Sequence, residues 1–380
     1  MNPVQTPPDL RALTTLRFLA AAWVVLYTAW PHLAVGFTPV AVTKGYLGVE
    51  VFFVLSGFIL SHVYLEAAGE RRFSYKGFLW ARIARVYPLH LVTLFGMLGL
   101  GVVATVVGLS IDASLTDWRA LPAHLTLTHA WGLAPTSAFN HPSWSISAEW
   151  FAYLSFPAFA FVAWRLRNRP VVATALAAAF ALGLYAAFEP LAGFSLTEAT
   201  FRWGALRIVP CFALGCALYL VHRRARLPHA GPLALVFGGL VLASASLGLW
   251  DPITVLAAGG LILALGSLEN DRAGVLASKA GTYLGEISYS IYMVCAPVLL
   301  VATNAAARLT GADDKRFHII VWLAIVAAIP VAAVMTYHLV ERPARKALRS
   351  LATRNGSGQP SISSGPDSPE RVLQPSKTIV

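Results

Sequence analysis

The chain has 380 residues, of which 57% belong to the set AVILMFWYC and only 12% are charged. A soluble domain carries about 25% charged residues, so the polar surface needed by a soluble enzyme, a secreted disulfide module or a disordered chain is missing. The net charge of +11 is then best read as the loop charge of a polytopic membrane protein, not as a nucleic-acid footprint.

Ten apolar segments follow in chain order, at roughly 13–35, 47–65, 86–109, 145–164, 171–188, 205–222, 232–250, 252–268, 281–303 and 318–340. A membrane-crossing helix needs about 20 predominantly apolar residues. The expected fold class is therefore all-α, a polytopic membrane protein of about ten transmembrane helices. The first segment reads as an uncleaved span, because its apolar run is long and Asp9 stands where a secretory signal would be basic. With the N-terminus in the cytoplasm, 22 Lys and Arg residues fall on cytoplasmic loops and 7, counting Arg202 and Arg207, on the other side. That bias follows the positive-inside rule and predicts both termini in the cytoplasm. Cys211, Cys216 and Cys295 sit in apolar stretches with no metal or disulfide spacing. The tail 353–380 is rich in Ser, Gly and Pro and is expected to be a disordered cytoplasmic segment without chemistry.

Polar residues inside such segments are costly and so mark function or internal pairing. In the first, Arg17 and Thr28 lie eleven residues apart. That is about 16 Å of helical rise on nearly one face. His32 follows four residues later, just after Pro31, which bends or ends a helix. Snorkelling at the interface explains Arg17 and His32 equally well. In the second segment Glu50 is expected at the outer interface, and Ser56 and Gly57 as small packing residues. Arg82 and Arg85 are i,i+3 at the entrance to the third segment. Two guanidiniums so placed bind phosphate in a bidentate way, although ordinary loop charge is the simpler account. The densest polar cluster runs from Asn140 through Ser143, Trp144, Ser145 and Ser147 to Glu149. A carboxylate beside hydroxyls under aromatic cover suits a general base, and an arginine partner for Glu149 is the structural alternative.

In this order the chain carries Leu13–Leu26, Gly48-Val-Glu-Val-Phe-Phe-Val-Leu-Ser-Gly-Phe58, Arg82-x-x-Arg85-x-x-Pro88 and Pro142-Ser-Trp-Ser-Ile-Ser-Ala-Glu149. They are followed by Arg207-Ile-Val-Pro-Cys-Phe-Ala-Leu-Gly215, Gly285-Glu-Ile-Ser-Tyr-Ser-Ile-Tyr292 and Glu341-Arg-Pro343. The ordered set, within 10–346, resembles the acyltransferase 3 family of integral membrane O-acyltransferases. The resemblance implies transfer of an acyl group, usually acetyl from acetyl-CoA or another acyl-CoA as co-substrate, to a hydroxyl of a glycan or small-molecule extracytoplasmic acceptor. It also implies a multi-pass protein of the bacterial inner membrane, without metal or permanently bound cofactor, for which a homo-oligomer is conceivable. Carried onto this sequence, Arg17, Thr28, His32 and Glu149 become the catalytic candidates, and Arg82 and Arg85 the candidates for the coenzyme phosphates. Asn140, Ser143, Trp144 and Ser147 become the acceptor-site candidates, with the segments 110–144 and 189–204 as the specificity surface. Two positions depart from the family, whose first span has Arg, ten residues, then His, and whose ninth span has a further His. Here these positions are Thr28 and Cys295. Rescue by His32, a thioester on Cys295, or a non-catalytic homologue follow as alternatives, and a transporter or flippase is the reading from another class.

Overall fold

The structure is a computed structural model that describes residues 9–108 and 113–354. The expected tail therefore lies, from residue 355 on, outside the described residues. The helices are α1 (Arg11–Ala29), α2 (Val40–Thr43), α3 (Gly48–Gly69), α4 (Tyr75–Val106), α5 (Leu121–Leu125), α6 (Trp144–Leu154), α7 (Phe156–Leu166) and α8 (Pro170–Ala192). They continue with α9 (Gly204–Arg224), α10 (Ala230–Ser246), α11 (Asp251–Ser267), α12 (Lys279–Glu286), α13 (Ser288–Thr310), α14 (Ile319–Thr336) and α15 (Arg342–Arg354). Among the described residues the only β pairing is two isolated bridges. The protein is an all-helical polytopic membrane protein.

Each of the ten apolar segments is built on helix within the described residues. Among the described residues, seven helical stretches are long and apolar enough to cross a bilayer, and α6–α7, bent by 57° at Ser155, makes an eighth. The remaining two segments are α10 and α11, of 17 residues each. That length spans about 26 Å, slightly less than the ~30 Å hydrocarbon core, and the two pack against each other. The largest boundary difference is at α4, which starts at Tyr75 behind a Ser74 cap instead of at 86. Charge made this stretch look like loop, yet Arg82 and Arg85 stand well inside a continuous helix.

The bundle is organised on α3 and α9. A Cβ on Gly57 would lie 2.1 Å from the Phe212 carbonyl oxygen, and one on Gly215 would lie 2.1 Å from that of Val54. Only glycine permits this reciprocal approach of two backbones. The same helices are joined by an ion pair at 2.5 Å between Arg207 Nε and Glu50 Oε1, with both side chains almost fully buried. Arg207 also donates to the Ala199 carbonyl at 3.0 Å and lies 4.5 Å from the Trp144 ring centre. Arg207, expected among the outer loop charges, stands inside α9, and Glu50, expected at the outer interface, stands in the first turn of α3 with its side chain buried against it. Buried charges persist only with a partner, and these two residues, 157 positions apart, are each other's partner.

The connection between α4 and α6 folds back into the bundle. Tyr87 donates to the Leu125 carbonyl at 2.9 Å and His90 Nε2 to that of His124 at 2.9 Å. At the end of the chain a π-helical turn, Tyr337–Glu341, redirects α14 into α15. α15 then lies on the start of α4, where Trp80 Nε1 donates to the Leu348 carbonyl at 2.7 Å.

Candidate functional site

One cavity of about 100 Å³ opens between α1, α3, α4, α6 and α13, and Arg17, Ser56, Arg82, Arg85, Ser145 and Glu149 line it together with Tyr153, Tyr289 and Tyr292. Helical spacing explains who is there. Ser145, Glu149 and Tyr153 recur every four residues and so share one face of α6. Arg82 and Arg85 share a face of α4 in the same way. Ser56 Oγ donates to Glu149 Oε1 at 2.9 Å, which fixes the carboxylate. Arg17 lies within electrostatic reach of Glu149, Arg85 and Glu341. Three aromatic rings, of Tyr64, Phe78 and Tyr153, stand 5.9–6.0 Å from the Arg82 guanidinium. Such contacts hold a cation in place while leaving its N–H groups available. A second buried carboxylate, Glu341, accepts from Ser290 Oγ at 2.8 Å.

The structure thus brings Arg17, Arg82, Arg85 and Glu149 together from three helices. It does not bring the other expected residues to the cavity wall. Ser147 is on the opposite side of α6, where its Oγ donates to the Leu127 carbonyl at 2.7 Å and accepts from the Ala130 N–H at 2.9 Å. Ser143 Oγ pairs with His129 Nε2 at 3.1 Å, and Asn140 Nδ2 donates to the Met293 carbonyl at 2.9 Å. Trp144 covers Arg207. Asn140, Ser143 and Ser147 hold the connection between α4 and α6 in place, and Ser145 is the serine of this run that reaches the cavity.

Thr28 and Cys295 meet. Thr28 Oγ1 donates to the Val24 carbonyl at 2.6 Å and lies 3.5 Å from Cys295 Sγ. The two positions at which the sequence departs from the family pattern are therefore neighbours, one turn beyond Tyr292 on α13. His32 is further along, in a turn past the end of α1, and its Nδ1 donates to the Lys315 carbonyl at 3.0 Å. Neither Thr28 nor His32 lines the cavity.

Sequence reasoning missed a stack of three buried imidazoles. His124 and His129 are 3.9 Å apart between ring centres and parallel to within 8°, and His90 lies 5.9 Å from His129. Burial, and then the neighbouring imidazoles, push His124 down to about 2. Burial, and then His90, push His129 down to about 3. Both are therefore neutral at physiological pH. Stacked rings do not converge their nitrogens, and among the described residues no His, Cys, Asp or Glu group is arranged to hold a metal ion.

Comparison with known proteins points one way. A family model described as an acyltransferase domain matches residues 10–337. The chain is 32% identical over 280 residues to the acyltransferase MdmB of Streptomyces mycarofaciens, covering 66% of this chain and 67% of that protein. It is 26% identical over 350 residues to BcsY of Komagataeibacter xylinus, named as a candidate membrane-bound transacylase, covering 87% and 82%. A protein of the picA locus of Rhizobium radiobacter is 36% identical over 121 residues, covering 28% and 61%. No solved structure matches.

Proposed function

This chain belongs to the acyltransferase 3 family of membrane acyltransferases, and on that premise we propose that it transfers an acetyl group from acetyl-CoA to a hydroxyl of a glycan or other extracytoplasmic acceptor. The observation that carries the reading is the cavity in which Arg82 and Arg85, suited to phosphate, face Glu149, suited to a hydroxyl proton. The donor enters at the end of the bundle where α4 begins and α15 folds over it, and the acceptor arrives from the opposite end. Positive-inside charge supports the first end as the cytoplasmic one, in keeping with a multi-pass protein of a bacterial inner membrane.

The chemistry follows from the positions. The acceptor oxygen attacks the thioester carbonyl while its proton passes to the Glu149 carboxylate. Ser56 keeps that carboxylate aimed into the cavity. Arg17, at the same wall, stabilises the oxyanion as the carbonyl π bond opens. When the oxyanion collapses, the C–S bond breaks and the coenzyme leaves as a thiolate, which takes up a proton. An ester and free coenzyme A result, and the Glu149 proton returns to solvent.

Isolated membranes supplied with acetyl-CoA labelled in the acetyl group test this directly. The expected result is label in covalent, base-labile linkage to an extracytoplasmic molecule. A transporter, a flippase or a homologue that only binds a partner leaves no covalent label.

A further inference from the structure

We propose that α15, beyond the region matched by the family model, completes the donor site. In it Arg345 and Arg349 extend the Arg82–Arg85 pair into a cradle for the 3′-phosphorylated adenosine diphosphate of a coenzyme A thioester. This rests on the donor reading above and adds the residues that recognise the nucleotide end.

Four observations carry it. The helix is fixed in place, because Trp80 on α4 donates to the Leu348 carbonyl between the two arginines. Arg345 and Arg349 are i,i+4 and half-buried, whereas Arg342 and Lys346 are exposed as loop charge ordinarily is. Arg349 stands within electrostatic reach of Arg345, Arg82 and Arg85, and Glu341 within reach of Arg85, Arg345 and Arg17. Arg82 Nε is buried without a hydrogen-bond partner. Arg82, Arg85, Arg345 and Arg349 therefore gather at one end of the bundle, with Glu341 among them. Partly buried like charges are tolerated where an anion offsets them.

The anion that fits is phosphate-rich. A diphosphate with a 3′-phosphate carries about four negative charges near neutral pH, and two arginine pairs at i,i+3 and i,i+4 offer two bidentate forks. The slender pantetheine arm then runs from the forks past Arg17 to Glu149. A lipid headgroup offers the same phosphate chemistry, but its acyl chains belong at the bundle perimeter and not in a cavity between five helices.

The test uses the full-length protein in phosphatidylcholine nanodiscs, with coenzyme A and 3′-dephospho-coenzyme A as probes. Each charged hydrogen bond lost costs about 1.5–3 kcal/mol, so the wild type should bind dephospho-coenzyme A at least about tenfold more weakly. The variant R345Q/R349Q should bind coenzyme A at least about tenfold more weakly than the wild type and lose most of that discrimination. In the unmutated protein, coenzyme A should shield Arg345 and Arg349 from phenylglyoxal, read by peptide mass mapping. Wild-type-like binding by the variant, with no shielding, overturns the proposal and leaves the donor reading intact. Shielding by phosphatidylglycerol in place of coenzyme A also overturns it. If the wild type binds no coenzyme A, the donor reading falls and this proposal falls with it.

Discussion

Ser56 holds Glu149 in its cavity by a hydroxyl hydrogen bond, and this makes the site sensitive to small changes. Ser56→Ala removes a hydrogen bond to a charged group worth about 1.5–3 kcal/mol, so steady-state transfer should fall at least about tenfold. His32→Ala and Thr28→Ala should each lower transfer by less than about tenfold, well under the ~10²–10⁴ that loss of a general base costs. Both side chains are engaged by main-chain carbonyls outside the cavity. A larger loss for either would place the proton acceptor at the end of α1. Spacing alone made part of this legible, since i,i+3 put Arg82 beside Arg85 and i,i+4 put Ser145 beside Glu149. It could not show that Ser56 meets Glu149 across 93 residues, or that Thr28 meets Cys295 across 267. Such pairings belong to helix packing, which a periodicity does not encode. Arg345 and Arg349 were hidden for another reason, because basic residues after a last span count first as topology.

At the scale of the elements, the α3–α9 contact and the connection between α4 and α6 hold the site together. Gly57→Val would drive a side chain into the Phe212 backbone, which has no flexible end to yield. Overpacking costs about 1–3 kcal/mol in a typical core, and a backbone clash belongs at or above the top of that range. The melting temperature in detergent should drop accordingly, while Gly238→Ala, with only one distant neighbour, should leave it unchanged. The imidazole stack makes stability depend on acid. His124 and His129 have depressed values in the fold, about 2 and about 3, so the unfolded chain binds more protons below its ordinary value near 6.5. Their contribution is complete above pH 6.5 and is lost as the pH falls, by about 1.4 kcal/mol per pH unit for each ring. Melting temperatures at pH 7.5, 6.5 and 5.5 should therefore stay level and then decline, and His124→Gln should flatten the decline. The stack was invisible in the sequence because its members sit on a span, a short helix and a turn. The helices themselves were legible from apolar runs, except where Arg82 and Arg85 disguised the first three turns of α4 as loop.

At the scale of the whole molecule, charge does two jobs. Most basic residues mark one side of the membrane, and that bias predicts both termini in the cytoplasm. Green fluorescent protein fused at the C-terminus should fluoresce, and alkaline phosphatase fused there should be inactive. The remaining charges pair inside the bundle, as Glu50 does with Arg207, or converge on the cavity. The central claim is that this cavity performs the transfer with Glu149 as the proton acceptor. Purified wild-type and Glu149→Gln proteins, given acetyl-labelled acetyl-CoA and a membrane extract as acceptor, test it most directly when coenzyme A binding is measured on the same samples. Transfer by the variant should fall by at least about 10²-fold with coenzyme A still bound, whereas transfer at the wild-type rate would contradict the account.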